Sequence, residues 1–175
     1  MRPDLRSPLV VNVADLLRRP GTRRREEVHG HVPVTLVATS VSADADVAVD
    51  ATLEAVSEGV LATGTVSTAW RGECRRCLRP VSGEVSVEFR ELFERHPREG
   101  ETYPLAHEEV DLEPLAREAL LLELPLTALC RDDCPGTCPT CGADLSEGAC
   151  GCDTVVSDPR WAALDDLRLD RPGLK

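Results

Sequence analysis

The residues best equipped for chemistry are eight cysteines, which fall into two clusters. Cys74 and Cys77 form a C-x2-C pair, CRRC. Cys130, Cys134, Cys138, Cys141, Cys150 and Cys152 follow as C-x3-C-x3-C-x2-C-x8-C-x-C. Two sulfurs at C-x2-C spacing can face one Zn²⁺ at about 2.3 Å when a turn folds the backbone around them. In CPTCG at 138–142, Pro139 fixes the chain between two sulfurs and Gly142 permits a left-handed residue after them, as in a zinc knuckle. A tetrahedral ion needs a second pair. Cys138, Cys141, Cys150 and Cys152 are the favoured set. Cys138 and Cys141 with Cys130 and Cys134 come next. A third arrangement uses all eight in two four-cysteine sites, with Cys74 and Cys77 joining one of them.

Other chemistry is less well supplied. CRRC can also cycle as a dithiol, and Arg71, Arg75, Arg76 and Arg79 would favour its thiolate form. No His, Asp or Glu is spaced among the cysteines to leave an open catalytic position, so the zinc is expected to be structural. His29, His31, His96 and His107 lie in polar stretches far from the knuckle in sequence, and no GxSxG, P-loop, HExxH or GxGxxG is present. These absences point to a protein that is not an enzyme and has no small-molecule substrate.

Composition narrows the class further. The 175 residues, 42% hydrophobic and 29% charged, describe a globular chain of one domain, or one domain with an appendage. No apolar run approaches the roughly 20 residues of a membrane span, and the start lacks the long apolar region of a secretory signal. A cytoplasmic protein with reduced thiols is expected. The net charge of −11 opposes wrapping of bare phosphate backbones. Yet residues 1–25 carry a local +5 and residues 71–79 a local +3, which leaves −19 for the rest.

The elements that must position the cysteines can be read coarsely. Leu9–Arg19 reads as a strand and a short helix with Asn12 as its N-cap, stopped by Pro20 and Gly21. Residues 32–38, 46–56, 59–70 and 83–93 read as strands, the last with Val85, Val87 and Phe89 on one face. Short connections favour antiparallel pairing. Residues 94–108 read as a loop. In 110–126, Leu112, Leu115, Ala116, Ala119 and Leu122 form a helical apolar stripe, with Pro114 in the first turn and Pro125 at the end. The tail suggests a last helix from about Pro159, capped by Asp158. The expected fold is α+β: an antiparallel β-sheet, open to curling towards a barrel, with a few short helices and a cysteine-rich, zinc-binding C-terminal segment. Residues 1–126 would form the β-rich core with both helices, and 127–175 the cysteine-rich segment and terminal helix.

The order of these pieces resembles the bacterial YceD family, the large ribosomal RNA subunit accumulation proteins. VADLLRRPGTRR at 13–24 is similar to that family's N-terminal helix and its Pro–Gly stop. GECRRCLRP at 72–80 resembles its C-x2-C-L-x-P element, through Cys74, Cys77, Leu78 and Pro80. VDLEPLAREALLLELPL at 110–126, CRDDCPGTCPTCGADL at 130–145 and DPRWAALDDL at 158–167 complete the likeness. The family pattern D-C-K-G-L-C is altered here, where Asp133-Cys134 is followed by Pro135, Gly136 and Thr137. The resemblance implies a non-enzymatic ribosome-assembly factor. Its partner would be the large ribosomal subunit precursor, met through ribosomal RNA, a basic ribosomal protein or both. Arg75, Arg76 and Arg79 at the C-x2-C turn are the expected RNA contacts, with Arg23, Arg24 and Arg25 as a second patch. The alternatives are an acidic zinc-ribbon adaptor between proteins, and a thiol redox sensor using Cys74 and Cys77.

Overall fold

The protein was analysed as a computed structural model, which describes residues 7–152 and Arg160. Apart from Arg160, the expected terminal helix lies outside the described residues. The chain runs through β1 (Val10–Asn12), α1 (Ala14–Leu17), β2 (Arg23–Gly30), β3 (Val34–Thr35), β4 (Thr39–Val41) and β5 (Val47–Ala55). It continues through β6 (Gly59–Glu73), β7 (Pro80–Glu94), β8 (Tyr103–Ala106), β9 (Glu109–Asp111) and α2 (Glu113–Glu123). One curled sheet, mostly antiparallel, holds the nine strands. The α+β class and the barrel-like curl agree with the sequence reading.

Alternation builds the centre of the sheet. In β5 every second residue from Val47 to Ala55 is buried, while those between are half-buried. Val28, Val49, Val66 and Val87 stand in register across β2, β5, β6 and β7, an apolar row that crosses four strands. Such cross-strand neighbours are the unit of sheet stabilisation. Curling brings the start of the chain against the end of β2. There Leu9 is fully buried, and a Cβ on Gly30 would lie 2.8 Å from Leu9 Cγ.

Helix α2 packs its inner face on this sheet. Leu112, Leu115, Ala116 and Leu120 are buried, and Leu124 closes the last turn by donating its N–H to the Leu120 carbonyl at 3.0 Å. Pro125 ends the helix as expected, because proline has no N–H to donate. The stripe differs from expectation at one position. Leu120 is completely buried, whereas Leu122 is 88% exposed. The i, i+4 row 112–116–120–124 decides the inner face, and Leu122 lies outside it.

Several elements depart from the sequence reading, each for a physical reason. β2 was not expected, because RRREEVHG reads as a solvated charge run; its charges are met across the pair by β5, through Arg23–Glu54 and Arg25–Asp50. Of the strand expected at 32–38 only β3 forms, and it folds back on β4, which lies just beyond that range. Within the expected loop 94–108 lies β8, which pairs parallel with β7 through Phe93 and Tyr103, their rings 5.3 Å apart. A two-residue turn joins β8 to β9, with His107 and Glu108 both at positive φ. Such turns usually announce themselves by Asn-Gly or Asp-Gly, and here that signal is absent. Val13, not Asn12, is the N-cap of α1, although the Asn12 side chain does accept the Ala14 N–H at 3.1 Å.

The two leucines of α2 give a direct test. Leu120→Ala should lower stability by about 2–5 kcal/mol in a denaturant titration, because it leaves a cavity. Leu122→Ala should stay within about 0.5 kcal/mol of the parent. Equal effects would contradict the packing of this helix.

Candidate metal centres

The first centre is built at the tip of the longest hairpin. β6 and β7 pair along fifteen positions, from Gly59↔Glu94 to Glu73↔Pro80. Residues 74–79 close them with a tight turn in which Cys74 N–H donates to the Arg79 carbonyl at 2.8 Å and Leu78 N–H to the Cys74 carbonyl at 2.8 Å. The chain leaving α2 is then tied to this tip. Thr39 Oγ1 donates to the Pro125 carbonyl at 2.9 Å, and Arg75 N–H donates to the Ala128 carbonyl at 2.9 Å. Those bonds deliver Cys130 and Cys134 beside Cys74 and Cys77.

Geometry separates a metal site from a disulfide here. Cys74 and Cys134 sulfurs are 3.8 Å apart, and those of Cys77 and Cys130 are 3.7 Å apart. A disulfide needs about 2.05 Å. Tetrahedral zinc–thiolate bonds of about 2.3 Å place their sulfurs roughly 3.8 Å apart. All four Sγ atoms lie within 4.8 Å of one another, so this group can hold one metal ion. Cys74, Cys77 and Cys134 are buried with Val81 and Leu129 packed against them, and Cys130 is exposed.

The second centre repeats the local design. Cys138 N–H donates to the Ala143 carbonyl at 2.8 Å and Gly142 N–H to the Cys138 carbonyl at 2.8 Å, the same offsets as in the first turn. Cys138, Cys141, Cys150 and Cys152 converge with their sulfurs within 4.8 Å of one another, and this group too can hold a metal ion. Sequence spacing left three groupings open; the structure brings the cysteines together as two sets of four. Cys130 and Cys134 therefore stand with Cys74 and Cys77, not with the knuckle at 138–141.

The centres are coupled through Arg79 and the chain between them. The Arg79 guanidinium binds the Asp144 carboxylate at 2.6 Å and also reaches Ser146 Oγ. Ser146 holds the Asp144 carboxyl below the usual carboxylate range through its hydroxyl and N–H, and Arg79 adds to this. Thr137 N–H donates to the Arg76 carbonyl at 3.1 Å, and Leu145 N–H to the Gly136 carbonyl at 2.9 Å. Gly136 has φ +79° and sits so close to Arg76 that a Cβ would lie 3.0 Å from its carbonyl oxygen. The left-handed turn and the close approach both call for glycine.

Most of the other candidate arginines are engaged within the protein. Arg23 meets Glu54, Arg25 meets Asp50, and Arg24 meets Glu26 and the Asn12 carbonyl. Arg76 donates to the carbonyls of Cys134 at 2.9 Å and Asp132 at 3.1 Å. Among the described residues, the Arg75 side chain makes no hydrogen bond or ion pair, and it is exposed. The structural duties of Arg76 and Arg79 were not legible in sequence, because their partners lie more than fifty residues away.

Thiol acidity follows the backbone. Burial raises the Cys74 thiol, but the N–H groups of Cys130, Cys77 and Arg76 outweigh it and bring the pKa to about 6. The N–H groups of Cys141 and Thr140 bring Cys138 to about 6 as well. Neighbouring sulfur groups do the opposite, with Cys134 foremost at Cys130 and Cys141 foremost at Cys152, and push both thiols up to about 12. At neutral pH each centre thus offers a thiolate and retains a proton that an incoming ion must displace. Metal affinity should rise about tenfold per pH unit for every proton displaced between pH 7 and 9. It should fall more steeply as pH drops through 6, where Cys74 and Cys138 also protonate. Competition against a chromophoric chelator at several pH values checks this; a flat profile would contradict thiolate ligation. Cys138→Ser should release metal from the second centre and leave the β-sheet folded, as read by metal analysis and circular dichroism.

The family of large ribosomal RNA subunit accumulation proteins, YceD, matches residues 62–168, a stretch that includes all eight cysteines. An uncharacterized protein of Mycobacterium tuberculosis is 40% identical over 170 residues, covering 92% of this chain and 82% of the relative. An uncharacterized protein of Mycobacterium leprae is 34% identical over 172 residues, covering 92% and 78%. The chloroplastic YCED homolog 1 of Arabidopsis thaliana, named a large ribosomal RNA subunit accumulation protein, is 33% identical over 66 residues, covering 38% of this chain and 21% of the relative. No solved structure matches. Among the described residues, no helix is long and apolar enough to cross a membrane. With the family's match spanning the β6–β7 hairpin, α2 and both four-cysteine groups, the chain belongs to the YceD family.

Proposed function

We propose that this protein is a non-enzymatic assembly factor for the large ribosomal subunit, acting in the cytoplasm to promote processing or accumulation of its ribosomal RNA. Both four-cysteine centres hold structural Zn²⁺ in this reading. The observation that carries it is membership of a family described by large-subunit ribosomal RNA accumulation, together with two all-thiolate centres. Closed four-thiolate sites are the structural kind, and they supply folding energy to short, loop-rich segments. An open groove of about 780 Å³ beside the hairpin tip offers only Arg71 and Glu73 as charged lining groups, which gives no acid–base or nucleophile set.

The acidic body suits a basic ribosomal protein, and the arginines at the cysteine turn suit ribosomal RNA within the same particle. Arg75 is the strongest RNA contact of the six, since it is free to bind phosphate. Arg76 and Arg79 lie on the same turn, while Arg23, Arg24 and Arg25 form the more internally neutralised patch. The zinc-ribbon adaptor remains the second reading, favoured by the surplus of acids over bases.

Sedimentation of the tagged protein through a gradient of cell lysate tests the proposal. The protein should travel with large-subunit precursors, and its deletion should lower large-subunit ribosomal RNA relative to small-subunit RNA. Release by moderate salt is expected, and alanine at Arg23, Arg24, Arg25, Arg75, Arg76 and Arg79 should weaken association. Migration only at the top of the gradient, with normal ribosomal RNA, would overturn the ribosomal role and leave the adaptor.

A further inference from the structure

The two cysteine turns are nearly the same backbone object, but they differ at one position. The residue after the second cysteine is left-handed in both, Gly142 at φ +74° and Leu78 at φ +60°. Glycine takes this conformation freely, whereas a side chain crowds its own backbone there. Leu78 is therefore costly where Gly142 is not. Burial does not compensate, because Leu78 is 66% exposed. A leucine that strains the chain and faces solvent contributes little to this fold.

We propose that Leu78 is an apolar anchor for an unpaired base of ribosomal RNA, with Arg75 holding the adjoining phosphate. The inference rests on the assembly-factor reading above. Charge chooses RNA over a protein partner. The turn from Cys74 to Arg79 has no acid of its own; Arg79 is paired with Asp144, but Arg75 is exposed and unpaired among the described residues, in a chain that carries −11 overall. A basic protein that fits the acidic body would be repelled at this turn, and a polyanion would be drawn to it. Proteins that read RNA bind unpaired, splayed bases through their faces and adjacent phosphates through guanidinium groups. The leucine methyl groups give a base an apolar face, and the rigid thiolate turn holds them in place. A glycine would hold the same turn and offer nothing to bind.

Leu78→Gly separates binding from folding. With metal-loaded full-length protein and fragmented large-subunit ribosomal RNA, Leu78→Gly and Leu78→Ala should each bind about tenfold more weakly at fixed salt. Leu78→Met should retain most of the affinity. Arg75→Ala should lower the salt slope by about 0.7–0.9. Leu78→Gly should keep its full metal content and melt no lower than the parent. Unchanged RNA binding by Leu78→Gly would overturn the anchor, and so would a lower melting temperature with loss of metal, which would make Leu78 a structural residue. If the parent travels with precursor particles but binds and crosslinks no RNA, the anchor falls and the assembly reading stands. If the parent does neither, both fall.

Discussion

The structure depends on a hairpin that outruns its sheet. β5 pairs with β6 only as far as Thr68, and β4 adds Arg71 and Gly72, while β6 and β7 stay paired to Glu73 and Pro80. The projecting end carries the Cys74–Cys77 turn. Little apolar material supports that end, since its buried cluster is three cysteines with Val81 and Leu129 beside them. The converging sulfurs join what packing alone would leave separate: the hairpin tip and the chain that leaves α2. From there Arg79, Gly136 and Asp144 carry the order on to the second centre.

This arrangement gives the cysteine-rich segment two kinds of support. The main core is an ordinary apolar one, with valines in register across four strands and α2 laid over them. The segment beyond residue 129 has almost no such core among the described residues, and few of its side chains are buried. A metal ion in the four-cysteine groups, which could hold one each, would supply such a segment with folding energy. The first centre differs from the second because two of its cysteines sit on the turn that closes the β6–β7 ladder at Glu73 and Pro80.

Charge is organised in the same economical way. Formal counts suggested two basic patches, but most of those arginines are neutralised by cross-strand carboxylates or bound to carbonyl groups. Exposed pairs of this sort add little stability. They mainly remove charge from the surface, so Arg75 stands out at the hairpin tip by contrast.

What the sequence determined is what local chemistry determines. Partial alternation in 46–56, the prolines bounding 110–126 and the CPTCG spacing each name a local conformation with its physical cause. The β-rich fold, the helix and the presence of thiolate sites were therefore legible, and the order of motifs pointed to the family. Tertiary structure decided the rest. Which cysteines come together depends on the path from Pro125 to Ala128 across the hairpin tip, a contact between residues more than fifty positions apart. β2 was hidden because its charges are solvated in sequence terms and become paired only beside β5. The turn at His107 and Glu108 was hidden because the pair is not one of the Asn-Gly or Asp-Gly sequences that mark such turns; its flanking strands impose it. Leu78 read as one more motif residue, and only the structure shows that it shares the left-handed angle and exposure of Gly142. Spacing along a chain can say that sulfurs will meet a metal, but partners are chosen in space, where sheet register and helix exit bring distant residues together.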